Sequence, residues 1–183
     1  CGIVMKTNAI LLSFFIGISQ GSQPIVGFNY GAKQYARVRK TYRLAITCSF
    51  VISTIGFILF QFFPYQIISL FGKGNELYYE FAIHFMRTFL FMVIVNGVQL
   101  ISSNFFSAIG KPVKGLLLSM TRQVFFLIPL ILILPLFFGI DGVLYAGPIA
   151  DGAAFLVSVL LISLEMKKMR AMEALISQNS EEN

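Results

Sequence analysis

Apolar residues in this chain gather into runs that neither a helical nor a strand period interrupts. The runs cover residues 9–28, 44–63, 81–109, 116–138 and 143–164. Crossing the hydrocarbon core of a bilayer as a helix takes ~20 residues at 1.5 Å rise each. The pattern therefore predicts an all-α membrane protein with about five transmembrane helices, a bundle over 1–165 followed by a tail. Pro64 stops the second run, and a polar break over 71–80 carrying Lys73, Glu76 and Glu80 precedes the third. The third run is longer than a span needs, so it either tilts or begins in the interface. Gly110-Lys-Pro-Val-Lys114 reads as a tight turn, and Gly139-Ile-Asp-Gly142 joins the last two runs. The tail, 166–183, is polar and is expected to be partly disordered, above all over 177–183.

Charge orients the spans. Ten of the fourteen basic residues fall in three short segments: Lys33, Arg37, Arg39, Lys40 and Arg43; Lys111 and Lys114; Lys167, Lys168 and Arg170. These segments follow the first, third and fifth runs, whereas the intervening loops are mixed or acidic, with Asp141 alone in the last. Such alternation places residue 1 outside the cell membrane and the C-terminus in the cytoplasm. It also turns the formal charge of +6 into a set of topology signals and contacts to anionic headgroups, so no nucleic-acid partner is expected. The chain is 57% hydrophobic and 12% charged, about half the charge of a soluble domain. Cys48 lies inside an apolar run and reads as a small hydrophobe. An odd number of spans and a Cys where an initiator Met would stand point to a piece of a longer protein.

Polar residues inside the spans raise the functional question. In the first span Ser13, Gly17, Gln20, Gly27 and Gly31 share one face at ~100° per residue, with Gln23 and Pro24 close by. Gly17 with Gly21, and Gly27 with Gly31, are four apart, the spacing that lets helix backbones approach. That face either packs tightly, its glutamines bridging helices, or lines a polar cavity. Pro24 frees the carbonyl of Gln20, which membranes tolerate only where other polar groups or water are at hand. In the third span Asn96, Gln99, Ser103 and Ser107 occupy an arc of ~80°. A continuous stripe exceeds what one interhelical hydrogen bond requires and favours cavity lining.

Arg122 and Asp151 are the charges deepest in the last two spans, and such charges usually face the bundle interior. Their depths, judged from the ends of the apolar runs, differ by ~9 Å, so the sequence does not require them to pair. Asp151 is a candidate for proton coupling or for a local bond to backbone loosened by Pro148, and Arg122 for snorkelling. His84, near the outer end of the third span, has a side chain suited to proton coupling. Pro129 and Pro135 mark kinks in the fourth span. No spacing of His, Cys and carboxylates suits a metal, and no nucleophile–base pair or phosphate loop is present. The chain is expected not to be an enzyme and to need neither metal nor cofactor.

Three stretches resemble the multidrug and toxic compound extrusion (MATE) transporters: Gln20–Lys33, QGSQPIVGFNYGAK; Asn104–Lys111, NFFSAIGK; and the set Arg122-Gln123, Pro129, Gly139-Ile-Asp-Gly-Val143 and Pro148-Ile-Ala-Asp151. Within that family the flavour is similar to the MepA-like multidrug exporters. The resemblance implies part of the C-terminal six-helix bundle of a twelve-helix antiporter, its N-terminal bundle being the missing partner. It further implies export of small cationic or lipophilic drugs against protons or sodium by alternating access. In the NorM-like branch a cation-binding carboxylate stands where this chain has Asn96, so that sodium site is not carried over. The alternatives are a flippase for a lipid-linked precursor and a non-transporting membrane scaffold.

Overall fold

A computed structural model describes residues 2–71 and 76–181. Within them the chain forms helices α1 (Gly2–Gly31), α2 (Tyr35–Phe62), α3 (Pro64–Phe71), α4 (Glu76–Phe89), α5 (Val93–Ala108), α6 (Pro112–Met120), α7 (Ile128–Phe138) and α8 (Ile140–Glu181). A π-helical turn, Thr121–Leu127, joins α6 to α7. Four continuous helical stretches are long and apolar enough to cross a membrane, and α4 with α5, bent by 50°, makes a fifth, broken span. Lys73, in the polar break, lies outside the described residues.

Each helical stretch starts before the apolar run that predicted it. α1 begins at Gly2, and α2 takes in the whole basic segment from Tyr35. Basic residues at a membrane boundary keep good helix propensity and hold their charge in the headgroup layer. The same applies beyond Glu165, where the tail expected to be partly disordered continues α8 to Glu181. Its Met169 is fully buried, and Arg39 Nη1 holds Glu173 Oε2 at 2.6 Å. Residues 182–183 lie outside the described set.

α1 and α5 end alike. In each, one residue takes a positive φ, +58° at Lys33 and +73° at Gly110. The following amide then reaches back five residues, Gln34 N–H to Asn29 O at 2.9 Å and Lys111 N–H to Phe106 O at 2.9 Å. Both are six-to-one closures that satisfy orphan carbonyls. The π-helical turn has a local cause as well. Pro129 cannot donate, and its ring would press on the carbonyl four residues earlier. A wider turn relieves this, with Ile128 N–H reaching Gln123 O, five residues back.

α5 sits at the centre, touching α1, α2, α6 and α8. Helices in lipid associate by close packing and hydrogen bonds, since lipid tails are as apolar as leucine. Gly97 marks such an approach: a Cβ there would lie 2.0 Å from Ser49 Oγ and 3.1 Å from the Phe15 ring. Two buried clusters flank the crossing. One, at the basic end, holds Val38, Tyr42, Phe105, Phe106, Leu118 and Met169. The other holds Phe15, Phe60, Phe85, Met86, Val93 and Leu144. Tyr42 Oη and Ser102 Oγ, 2.8 Å apart, tie α2 to α5 within the first.

Candidate functional site: a polar cleft and a buried ion pair

The α5 stripe faces α6. Asn96, Gln99 and Ser103 are buried and Ser107 is exposed. Gln99 Nε2–H donates to Leu118 O at 3.0 Å, Ser103 O–H donates to Gly115 O at 2.6 Å, and Ser103 Oγ lies 3.0 Å from Ser119 Oγ. Gly115 makes this possible, for a Cβ there would lie 2.5 Å from Ser103 O. The Gln99–Ser103 part of the stripe packs against α6. It fixes α6 to α5, and the same Gln99 and Ser103, with Ser119, Arg122 and Gln123, line a cleft of about 380 Å³.

Beside that cleft Arg122 Nε–H donates to Asp151 Oδ1. The Asp151 side chain is 5% exposed and that of Arg122 18%. The depth difference that set them apart in the sequence disappears because both helices begin early. α6 starts at Pro112 and α8 at Ile140, four and three residues before the apolar runs, which together moves the two groups closer by about 10 Å. Arg122 stands on the π-helical turn, a wider coil that often marks functional sites. A buried charge pair is kept only if each partner answers the other.

The candidates on α1 lie elsewhere. Gln20 and Pro24 are exposed, Gln23 is half-buried, and neither glutamine makes a side-chain hydrogen bond among the described residues. A Cβ at Gly17, Gly21 or Gly31 would meet open space; at Gly27 it would lie 3.3 Å from Ala108 O. The polar face of α1 is thus turned outward, away from the other helices of this chain. His84 is separate from both surfaces, its Nε2 3.8 Å from Asp141 Oδ1, with both side chains more than half exposed. Pro129 is half-buried just past the π-helical turn.

Three features escaped the sequence reading. Glu165, 2% exposed, is held by both Lys111 and Lys114, the latter at 3.3 Å, and so fastens the α5–α6 turn to α8. The signal was there: a lone carboxylate closing an apolar run, with two lysines in a neighbouring turn. Buried Ser49 and Ser53 on α2, and Ser19 on α1, have hydroxyls without a hydrogen-bond partner among the described residues. Gly147 admits the Phe89 ring, 2.7 Å from where its Cβ would stand. Among the described residues no three His, Cys, Asp or Glu side chains group as for a metal.

Long apolar helices, a polar interior cleft and a neutralised buried charge define a multi-pass helical membrane protein. The MatE family profile matches residues 1–133, and the chain belongs to that family, whose members are transporters rather than enzymes. It is similar to the FAD transporter of Shewanella oneidensis, 23% identical over 82% of this chain and 33% of the relative. It is also similar to the multidrug export protein MepA of Staphylococcus aureus, 22% identical over 81% of this chain and 32% of the relative. Among solved structures, the MATE multidrug transporter DinF-BH superposes with a TM-score of 0.81 and 37% identity, over 88% of this chain and 36% of that one. The chain thus spans about a third of the length of the relatives it matches.

Proposed function

We propose that the chain is the C-terminal part of a multidrug or cation efflux antiporter, which exports xenobiotic compounds against protons or sodium by alternating access. The observation that carries this is the outward polar face of α1. Gln20 is exposed and Gln23 half-buried, and neither makes a side-chain hydrogen bond among the described residues. Amides facing hydrocarbon cost several kcal/mol, roughly 2–7 by transfer scales, so the face calls for water or a polar partner. A second, N-terminal bundle set against α1 supplies both, with the drug cavity between. The bundle, 1–165, then sits in the cell membrane with the basic loops and the tail in the cytoplasm.

The family resemblance implies small cationic or lipophilic substrates, and the α5–α6 cleft holds no net positive charge among the described residues that would oppose them. The cleft's one cation among the described residues, Arg122, is neutralised by Asp151, which leaves nothing to attract an anion. The likeness to a FAD transporter favours a second reading, export of a flavin nucleotide. Competition of each compound class against dye efflux by the intact transporter separates the two.

Gln20→Leu and Gln23→Leu, in the intact transporter, should change resistance to different drugs unequally while leaving protein abundance unchanged. A uniform loss that tracks abundance would remove the cavity reading. Since one bundle cannot enclose a cavity between two, cells expressing only these 183 residues should not extrude dye.

A further inference from the structure

α2 and α8 leave a groove between them that changes character along its length. Its body, about 510 Å³, is walled by Ile46 and Phe50 of α2 and by Phe155 and Val159 of α8. Arg43 stands at its mouth, and through Ile162 and Ser163 the groove runs on to Lys167 and Arg170. From Phe155 to Arg170 is about 22 Å along the helix, of which the stretch up to Ser163 covers about 12 Å, less than one leaflet of a ~30 Å hydrocarbon core. Arg43, Lys167 and Arg170 therefore stand toward headgroup depth, at the basic end of an apolar trough of acyl-chain depth.

The cations are uncommitted. Among the described side chains, the two carboxylates nearest this groove are already paired, Glu165 with Lys111 and Lys114, and Glu173 with Arg39. Arg43, Lys167 and Arg170 are exposed and have no carboxylate partner among the described residues. Phe50 and Val159, 51% and 42% exposed, leave the trough open to the bilayer.

We propose that this groove is a binding site for an anionic phospholipid, its phosphate held by Arg43, Lys167 and Arg170 and one acyl chain laid along Ile46, Phe50, Phe155 and Val159. A free phosphate would use the cations and ignore the trough. A zwitterionic lipid would set its own cation against three of the same sign. The bidentate fork of an arginine suits phosphate oxygens.

Native mass spectrometry of the intact transporter, loaded with dioleoylphosphatidylglycerol or dioleoylphosphatidylcholine, tests the site. Each basic residue at a membrane surface contributes about fivefold to anionic lipid binding. The triple variant Arg43→Gln, Lys167→Gln, Arg170→Gln should thus retain phosphatidylglycerol on the order of 100-fold less well and become indifferent to headgroup. Arg37→Gln with Lys40→Gln removes two exposed cations outside the groove and should leave retention unchanged. Val159→Trp keeps every charge but fills the trough, and should also expel the lipid. Equal loss in the Arg37/Lys40 control, no loss with Val159→Trp, or displacement by inorganic phosphate alone would each overturn the proposal. Should the triple variant fail to fold, the wild-type protein still decides. A photoactivatable phosphatidylglycerol must crosslink to Ile46, Phe50, Phe155 or Val159, and labelling elsewhere refutes the site.

Discussion

Replacing Gly115 by alanine puts one methyl group where α5 and α6 touch. Its Cβ would lie 2.5 Å from Ser103 O and 2.9 Å from Ser107 Oγ, and the first of these is backbone that no rotamer can move. To regain ordinary contact at 3.4 Å the two helices must separate by about 0.9 Å, an overpacking strain of the kind that costs about 1–3 kcal/mol. That movement would stretch the 2.6 Å bond from Ser103 to Gly115 O past the range of a hydrogen bond, and loosen Gln99 to Leu118 O with it. Interhelical hydrogen bonds in membranes are worth about 0.6 kcal/mol each, so the total reaches roughly 2–4 kcal/mol. Thermal unfolding of the intact transporter in nanodiscs, followed by loss of monodispersity, should show a clear fall in midpoint. Ser103→Ala, which removes the bonds without the methyl, should cost only about 1 kcal/mol. Gly152 supplies the control: nothing lies within 4 Å of its Cβ position, and alanine there should be neutral or stabilising by up to about 1 kcal/mol. If Gly115→Ala and Gly152→Ala melt alike, the close approach of α5 and α6 is wrong, and so is the cleft built on it.

The ion pair makes a second test. Asp151→Asn leaves the Arg122 guanidinium buried without its counter-charge and should destabilise by about 3–5 kcal/mol, whereas Asp151→Asn with Arg122→Gln should recover most of that loss in a double-mutant cycle. A single variant as stable as the wild type would mean that Arg122 escapes to water. At the basic end, Glu165→Gln should destabilise more than Glu173→Gln, because Glu165 is 2% exposed and Glu173 40%, and exposed pairs contribute at most about 1 kcal/mol; equal effects in unfolding would refute this. Accessibility labels at Gln34 and Glu76 should report opposite sides of the membrane, and the same side for both would sink the orientation drawn from charge.

What the sequence makes legible is governed by how local the cause is. Runs of apolar residues are local, so the spans stand out, and so does the Gly110 turn, whose glycine and following proline announce it. Helix ends do not, because Arg37–Arg43 and the segment after Glu165 are charged yet helical. That error in the ends propagated to the site: it set Arg122 and Asp151 at different depths, and only the true starts of α6 and α8 bring them together. The 50° bend between α4 and α5 was invisible for another reason. Leu90, Phe91 and Met92 include neither Pro nor Gly, and the bend shows itself only in tightened bonds such as Val93 N–H to Leu90 O at 3.2 Å. The polar stripe of α5 could be found by its period, but its partners are carbonyls of α6, and no residue type advertises a carbonyl.

From Asp151 onward α8 carries no proline through to Glu181, a stretch of about 45 Å. That rod is clamped near its middle, where Glu165 meets the two lysines, and the half beyond the clamp magnifies rotation. A tilt of ten degrees about that clamp would carry Gln178, about 20 Å further on, through about 3 Å, as a matter of lever geometry on that rise. Side-chain rearrangements too small to follow in the cleft would therefore be written large at Ala174 or Gln178, where both positions are exposed. A spin label or fluorophore there turns the last helix into a pointer, and its swing against a fixed mark on the membrane becomes a gauge of bundle motion that needs no substrate in hand.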